Sequence, residues 1–164
     1  MKKYSYFPIT PFYYPFALEL ANKYKNLIFD DYSEFNIIHD IRELKPHFYI
    51  VLYEKEPMGV IYLSNWVGNS NKYHKCDIHA FADKKFFGKQ IREVGKLFIN
   101  DVFKKFSLYR MQSQVTSNNL LTCKLLKDLG FKEEGILRNA SLIKGKLYND
   151  ILFGITKEEL NNGK

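Results

Sequence analysis

Cysteine, paired metal ligands and long apolar runs are all scarce in this chain of 164 residues. No apolar run approaches the roughly 18 residues that a membrane-spanning helix needs, so we expect no membrane association. Prolines at positions 8, 11 and 15 interrupt the N-terminal segment, which argues against a secretory signal. Cys76 and Cys123 have no metal-type spacing, which favours buried thiols in a reducing cytoplasm. The four histidines also lack paired ligands at useful spacing, so no metal site is predicted.

Apolar and basic side chains are abundant instead. Hydrophobic residues make up 46% of the chain and aromatic residues 16%, which excludes a disordered protein and predicts one well-filled domain over residues 1–164. The formal charge of +7, from 25 Lys and Arg against 18 Asp and Glu, favours an anionic partner or ligand. A polyphosphate cofactor, nucleic acid and simple solubility all fit this charge, and charge alone does not choose between them.

Hydrophobic periodicity predicts an α+β protein. A helix should open at Thr10-Pro11 and run to about residue 24, followed by a second helix from about Tyr32 to Leu44 that includes Phe35. Apolar residues at helical spacing also predict a long helix after Gly88. Strands are predicted at about 48–53, 58–66, 73–82, 109–115, 131–143 and 148–156.

Residues 117–135 form the most informative stretch. Asn119 precedes a short helix in which Leu121, Leu125 and Leu129 form an apolar face, and Gly130 takes the place where positive φ ends a helix. The stretch closely resembles the corner of GNAT-superfamily acyl-CoA-dependent N-acetyltransferases, in particular the branch that acetylates ribosomal-protein N-termini. That pattern reads Asn-x-x-Ser, a helix, then Leu-Gly-Phe-x-x-Glu-Gly, and it is filled here by Asn119, Thr122, 129–131, Glu134 and Gly135.

The resemblance implies a GNAT fold with a mixed, mostly antiparallel sheet of six to seven strands and flanking helices. Its fourth and fifth strands should splay apart to admit acetyl-CoA as co-substrate. Residues 77–92 align without a gap to the family's loop, which offers backbone N–H groups to the CoA pyrophosphate. The implied cofactor-binding residues are Phe81, Ala82, Phe87, Gly88, Lys89, Gln90, Ile91, Arg92, Asn119 and Thr122.

Three residues depart from the family's loop. Phe87 replaces Gln or Arg, Gln90 replaces the middle Gly, and Arg92 replaces the final Gly or Ala. Gln90 and Arg92 either crowd the pyrophosphate or supply donors in place of the lost close approach, Arg92 as a fork for phosphate. Lys89 either helps electrostatically or is a solvated surface charge.

Candidate catalytic residues are Asp77, His79 and Thr122. Asp77 and His79 are two apart on a strand and share a face, and an imidazole suits proton acceptance near neutral pH. In the family, the Ser matched by Thr122 is a proposed proton donor to the leaving thiolate. Each residue also has a purely structural alternative: a satisfied strand histidine, a Thr bonded to a backbone carbonyl, and for Asn119 a helix N-cap.

The sequence therefore predicts a cytoplasmic N-acetyltransferase that moves acetyl from acetyl-CoA to a primary amine by direct attack in a ternary complex. The amine is either a protein N-terminus or a small molecule, held between the N-terminal helices and the last hairpin. Neither a metal nor a membrane partner is expected, nucleic acid is disfavoured although the charge allows it, and a homodimer is compatible with the sequence. The alternative is a catalytically silent GNAT-like module with a degenerate CoA loop that contacts a protein or nucleic acid.

Overall fold

The computed structural model describes residues 3–28, 30–31, 36–69 and 72–162. Within these residues the chain forms one sheet of seven strands, five α-helices and two short 3₁₀ turns. The strands are β1 (Tyr4–Pro8), β2 (Phe48–Tyr53), β3 (Glu56–Asn69), β4 (Lys72–Ala82), β5 (Arg110–Thr116), β6 (Lys132–Ile143) and β7 (Lys146–Thr156). The helices are α1 (Tyr14–Ile28), α2 (Ile37–Glu43), α3 (Lys89–Phe106), α4 (Leu120–Asp128) and α5 (Lys157–Asn162).

The sheet order is β1-β2-β3-β4-β5-β7-β6. All neighbouring strands are antiparallel except β4 and β5, which run parallel. A parallel pair needs a crossover connection, and α3 supplies it here. The predicted α+β class and the mixed, mostly antiparallel sheet are therefore confirmed, with seven strands.

Each face of the sheet has its own apolar core. Because side chains alternate along a strand, Tyr49 and Val51 of β2 face one core while Phe48 and Ile50 face the other. Helices α3 and α4 cover the first core, and helices α1 and α2 cover the second. The apolar stripe of α3 faces the first core, and its buried residues are Val94, Phe98, Ile99, Val102 and Phe103.

The N-terminal segment differs from its prediction. Residues 11–13 form a 3₁₀ turn and the α-helix begins at Tyr14, since Pro15 is tolerated where the first turn has no intrahelical partner for an N–H. Strand β1 was not predicted, because it is a five-residue edge strand that ends at Pro8 and pairs on one side with β2.

The second predicted helix is found from Ile37 to Glu43, with Asn36 as its N-cap. Its predicted start at Tyr32 and its predicted apolar residue Phe35 lie outside the described residues. Gly130 has φ 95° after α4, as the sequence predicted. Both cysteines are buried free thiols, also as predicted. Among the described residues there is no helix long and apolar enough to cross a membrane.

Candidate active site

Strands β4 and β5 separate part-way along their length. Among the described residues they pair at three positions, the last of which joins Asp77 to Gln112. Beyond that pair β4 continues to Ala82 and β5 to Thr116 with no further pairing between them. The splay that the resemblance implied is therefore present in the sheet.

A cavity of about 400 Å³ occupies this split. Its described wall is built mainly from β3, β4, the loop before α3, α3 itself, β5 and α4, with single residues from α1 and β2. Nine of the predicted site residues line it: His79, Phe81, Ala82, Phe87, Gly88, Ile91, Arg92, Asn119 and Thr122. Three predicted residues, Asp77, Lys89 and Gln90, are not among its lining residues.

The loop between β4 and α3 is held by a local hydrogen bond and ends in a glycine N-cap. The Asp83 carboxylate accepts a hydrogen bond from the Lys85 N–H at 3.2 Å, which starts a 3₁₀ turn and buries Phe86. Gly88 then caps α3 with φ 95° and ψ −117°, a conformation that favours glycine. Among the described residues other than its immediate neighbours, no atom lies within 4 Å of the position a Cβ would take on Gly88, so the start of α3 stays open on that side. The first-turn N–H groups of a helix have no partner inside it, and in this first turn Gly88 and Ile91 line the cavity.

Asn119 holds the corner between β5 and α4. Its Oδ1 accepts a hydrogen bond from the Thr122 N–H at 3.3 Å, so the N-cap role considered from the sequence is realised. The corner is fixed further because the Ser117 N–H donates to the Asn149 carbonyl at 2.8 Å. The cap uses the amide oxygen of Asn119 and leaves its NH₂ group as a donor beside the cavity.

His79 lies on the sheet face covered by α1 and α2. Its ring stacks on Tyr62, with centroids 4.6 Å apart and planes 10° apart. Its Nε2 lies 2.9 Å from Ser64 Oγ. Burial lowers the pKa of His79 and the nearby Asp77 carboxylate opposes this, so the ring is held neutral at neutral pH.

Asp77 shares the face of His79, as predicted, but has a different environment. One carboxylate oxygen accepts from Asn65 Nδ2 at 2.8 Å, and the other is buried without a partner among the described residues. Because Asp77 does not line the cavity, the structure brings it to His79 rather than to the split itself.

The segment after α1 is tied to the last hairpin, β6–β7, by hydrogen bonds. The Asp31 carboxylate accepts from the Lys144 and Gly145 N–H groups at 2.8 and 2.7 Å. The Asp30 carboxylate accepts from the Leu142 N–H at 2.6 Å. The two segments that were predicted to line the acceptor site therefore meet.

Comparison with known proteins decides the family. Residues 22–152 match the family described as "Acetyltransferase (GNAT) domain". The chain belongs to this GNAT family. The predicted family and fold are thereby confirmed, and the predicted acetyltransferase class is that of the family.

Individual relatives agree with the GNAT assignment. An uncharacterised N-acetyltransferase derived from the SPβ prophage of Bacillus subtilis strain 168 is 32% identical over 93 residues, which are 56% of this chain and 50% of that protein. The matched region thus spans about half the length of that curated relative.

Solved GNAT structures share the fold at low identity. The ribosomal-protein-S5-alanine acetyltransferase of Vibrio fischeri is 18% identical with a TM-score of 0.75, covering 96% of this chain and 95% of that one. The spermidine N-acetyltransferase of Vibrio cholerae, solved with CoA and spermine, is 17% identical with a TM-score of 0.78, covering 98% and 99%.

Several residues of the GNAT cavity were missed from the sequence. Tyr24 of α1 lines it, and its hydroxyl, buried beside the backbone of Lys84, has no partner at hydrogen-bond geometry among the described residues. Burial raises the pKa of Tyr24, so the hydroxyl stays protonated. Lys124 and Asp128 of α4 also line the cavity. The sequence offered no reason to place these charged side chains at the cavity, because charged residues next to an apolar helix face usually point to solvent.

Proposed function

We propose that this chain is an N-acetyltransferase that moves acetyl from acetyl-CoA to a primary amine by direct attack in a ternary complex. The observation that carries the proposal is the cavity between β4 and β5, which reaches the open start of α3 at Gly88. An acyl-CoA has an anionic phosphate end and a narrow pantetheine arm. The first suits a helix N-terminus and the second suits a split between strands.

The residues around the cavity fit such a ligand along its length. At the phosphate end, the Gly88 cap leaves room for an anion close to the backbone, and Arg92 adds a guanidinium to the wall. Along the arm, Phe81 and Ala82 lie on the part of β4 that β5 has left, where amide groups of a ligand can bond to a strand. Near the far end, Asn119 presents its NH₂ group as a donor to a carbonyl oxygen.

The chemistry divides between the two faces of the sheet. On the face of α1 and α2, neutral His79 takes the proton of the attacking amine as the nitrogen–carbon bond forms. In the tautomer whose Nε2–H donates to Ser64 Oγ, 2.9 Å away, Nδ1 carries the lone pair that accepts this proton. On the other side of the split, the Thr122 hydroxyl donates a hydrogen bond to the sulfur as the carbon–sulfur bond breaks.

The acceptor class is a primary amine, and two kinds remain open. The Vibrio fischeri neighbour is named for an alanine of a ribosomal protein, and the Vibrio cholerae neighbour was solved with spermine. We propose a protein N-terminus as the first acceptor to test, on the resemblance of residues 117–135 to the ribosomal-protein branch. Release of free CoA thiol with Ala-initiated peptides and with polyamines separates the two kinds.

Thermal unfolding with and without acetyl-CoA tests the proposal. Ligand at about 100 times its dissociation constant adds roughly 2.7 kcal/mol to the free energy of unfolding. For a chain of this size the midpoint should rise by roughly 5–10 °C. No shift at millimolar acetyl-CoA would contradict the proposal.

A pair of glycine variants controls this experiment. Gly88→Ala and Gly145→Ala both place a Cβ at positive φ, 95° and 71°, and in the described part of the chain no atom beyond the immediate neighbours lies within 4 Å of either Cβ. Both should lower the stability of the free protein by roughly 1 kcal/mol. Only Gly88→Ala should also lose the acetyl-CoA shift, because Gly145 lies in the β6–β7 turn.

The proton-accepting role of His79 predicts a pH dependence. Its pKa lies below the ordinary value of 6.5, so kcat/KM should fall only as the pH drops through that lowered value and the ring becomes charged. Asp77→Asn removes the charge that raises this pKa and should move the acid limb to still lower pH. Titration of the His79 ring by NMR in the wild type and in Asp77→Asn checks the direction of the pKa change. If the acid limb of kcat/KM did not move in Asp77→Asn, the assignment of His79 as the proton acceptor would be contradicted.

A silent GNAT-like binding module is the second candidate. The residues that favour it are Phe87, Gln90 and Arg92, which depart from the loop of the resembled family. A wild-type protein that shows no acetyl-CoA shift, and binds a protein or nucleic acid instead, would support this candidate.

We further propose that residues 1–164 act as a single domain in the cytoplasm. The family match over residues 22–152 and the one continuous sheet support the single domain. The two buried free thiols fit a reducing compartment.

A further inference from the structure

The charges in the cavity wall are unequally distributed. Among its described lining residues, Lys84, Arg92 and Lys124 carry positive charge, and Asp128 alone carries negative charge. A wall that is to receive the phosphates of CoA gains nothing from a carboxylate, so the presence of Asp128 needs an explanation.

Asp128 contacts two of the three cations. Arg92 Nη1 of α3 lies 3.5 Å from its Oδ2, and Lys124 Nζ, one turn earlier in α4, lies 3.7 Å from its Oδ1. These contacts are long, and the side chains of Arg92 and Lys124 are 43% and 73% exposed. Ion pairs of this kind are weak in water and exchange partners easily.

The carboxylate does not serve its own helix. Asp128 is the last residue of α4, where the helix dipole disfavours a negative charge. Its benefit must therefore lie in what it holds, namely the two cations.

Arg92 occupies a defined place relative to the start of α3. Its N–H contacts the Gly88 carbonyl at 3.4 Å, so it lies one turn beyond the open helix end. A guanidinium there is within one helical turn of the first-turn N–H groups, and its fork matches phosphate oxygens.

We infer that Arg92 and Lys124 form a phosphate-binding pair for CoA, and that Asp128 is their internal counter-ion, displaced when a phosphate arrives. This inference rests on the proposed function, since it takes CoA as the ligand. The shared chemistry is a phosphate oxygen, supplied either by the 3′-phosphate or by the pyrophosphate of CoA.

The direction in which one substitution changes the affinity for acetyl-CoA tests the inference. Asp128→Asn removes the competitor and should tighten the dissociation constant for acetyl-CoA by about two- to five-fold, the small size reflecting an exposed pair. Arg92→Gln should weaken binding by about five- to twenty-fold, as expected for a partly exposed charge-assisted contact. Isothermal titration calorimetry at low salt measures both values, and the gain from Asp128→Asn should shrink at 0.5 M NaCl.

Glu133→Gln is the matched control. Glu133 of β6 forms an ion pair at 2.8 Å with Lys127 of α4, the helix that also carries Asp128, but Glu133 does not line the cavity. Its substitution changes the net charge by the same amount as Asp128→Asn. Glu133→Gln should leave the affinity unchanged. In the double variant of Arg92 and Asp128, the gain from Asp128→Asn should be smaller than in the wild-type background.

Dephospho-CoA distinguishes the two phosphate sources. If the penalty of Arg92→Gln disappears with dephospho-CoA, the pair binds the 3′-phosphate; if the penalty persists, it binds the pyrophosphate. The inference would be overturned if Asp128→Asn bound acetyl-CoA no more tightly than the wild type, or if Glu133→Gln increased the affinity as much as Asp128→Asn. The proposed function would still stand in either case, provided that the wild type binds acetyl-CoA. A wild-type protein that binds no CoA would overturn both.

Discussion

Helices α3 and α4 carry the same kind of apolar stripe and use it for different purposes. In α3, the side chains of Phe98, Val102 and Phe103 are at most 4% exposed and fill the core away from the cavity. In α4, Leu121 is 65% exposed, and Leu121, Leu125 and Leu129 all line the cavity. Spacing at i, i+4 and i+8 thus marks an apolar surface, but it does not say whether protein or ligand covers that surface.

Packing explains the difference. Helix α4 is buried through Cys123 and Leu126, which lie off its leucine stripe. Its leucine face turns towards α3, where Leu129 approaches Gly95 so closely that a Cβ on Gly95 would lie 3.0 Å from a Leu129 methyl carbon. The two helices therefore touch at this point, and the rest of the leucine face borders open space.

The largest effect should come from α3. Phe98→Ala removes a ring that is 1% exposed and should lower the free energy of unfolding by about 3–5 kcal/mol, because the core cannot close the space left behind. Urea denaturation measures this loss. Leu97→Ala, on the same helix at 50% exposure, should lower the free energy of unfolding by less than about 0.5 kcal/mol. Equal losses in the two variants would contradict a core-filling role for the buried stripe of α3.

A mixed effect should come from the start of α4. Asn119→Ala removes an N-cap and should cost about 1 kcal/mol of stability, and it should also weaken acetyl-CoA binding. Asn36→Ala is the matched control, since Asn36 caps α2 in the same way, accepting from the His39 N–H at 3.1 Å. Unchanged acetyl-CoA affinity in Asn119→Ala would leave Asn119 with a capping role alone.

The smallest effect on stability should come from the leucine face of α4. Leu121→Ala should change the free energy of unfolding by less than about 0.5 kcal/mol, since its side chain is largely exposed. It should nevertheless reduce the thermal shift caused by acetyl-CoA. Leu120→Ala, exposed at 73% but outside the cavity wall, should leave that shift intact. A similar reduction in both variants would remove Leu121 from the ligand wall.

The fold was largely predictable from the sequence because its signals are local. The stripe of α3, the Asn119 cap and the positive φ of Gly130 each depend on a few neighbouring residues. Strand β1 gave no such signal, since its pairing with β2 joins residues about fifty positions apart.

The candidate site was predictable only in part. Arg92 and Asn119 were found through a resemblance to a motif, whereas His79 was found from its imidazole chemistry and its place on a strand. All three line the cavity. Tyr24 and Asp128 were not found, because each enters the wall through helix packing that no sequence period encodes. Their assignment to acetyl-CoA remains a prediction for the experiments above.

The short pairing between β4 and β5 has a mechanical consequence. The sheet consists of two smaller sheets, β1–β4 and β5–β7, joined edge to edge by three residue pairs. A pantetheine arm lying in the split would bond to the free edge of β4 and occupy the place of a missing strand. The bound co-substrate would then complete the sheet that forms its own binding site. Release of CoA after each turnover would leave the two smaller sheets joined by the three residue pairs.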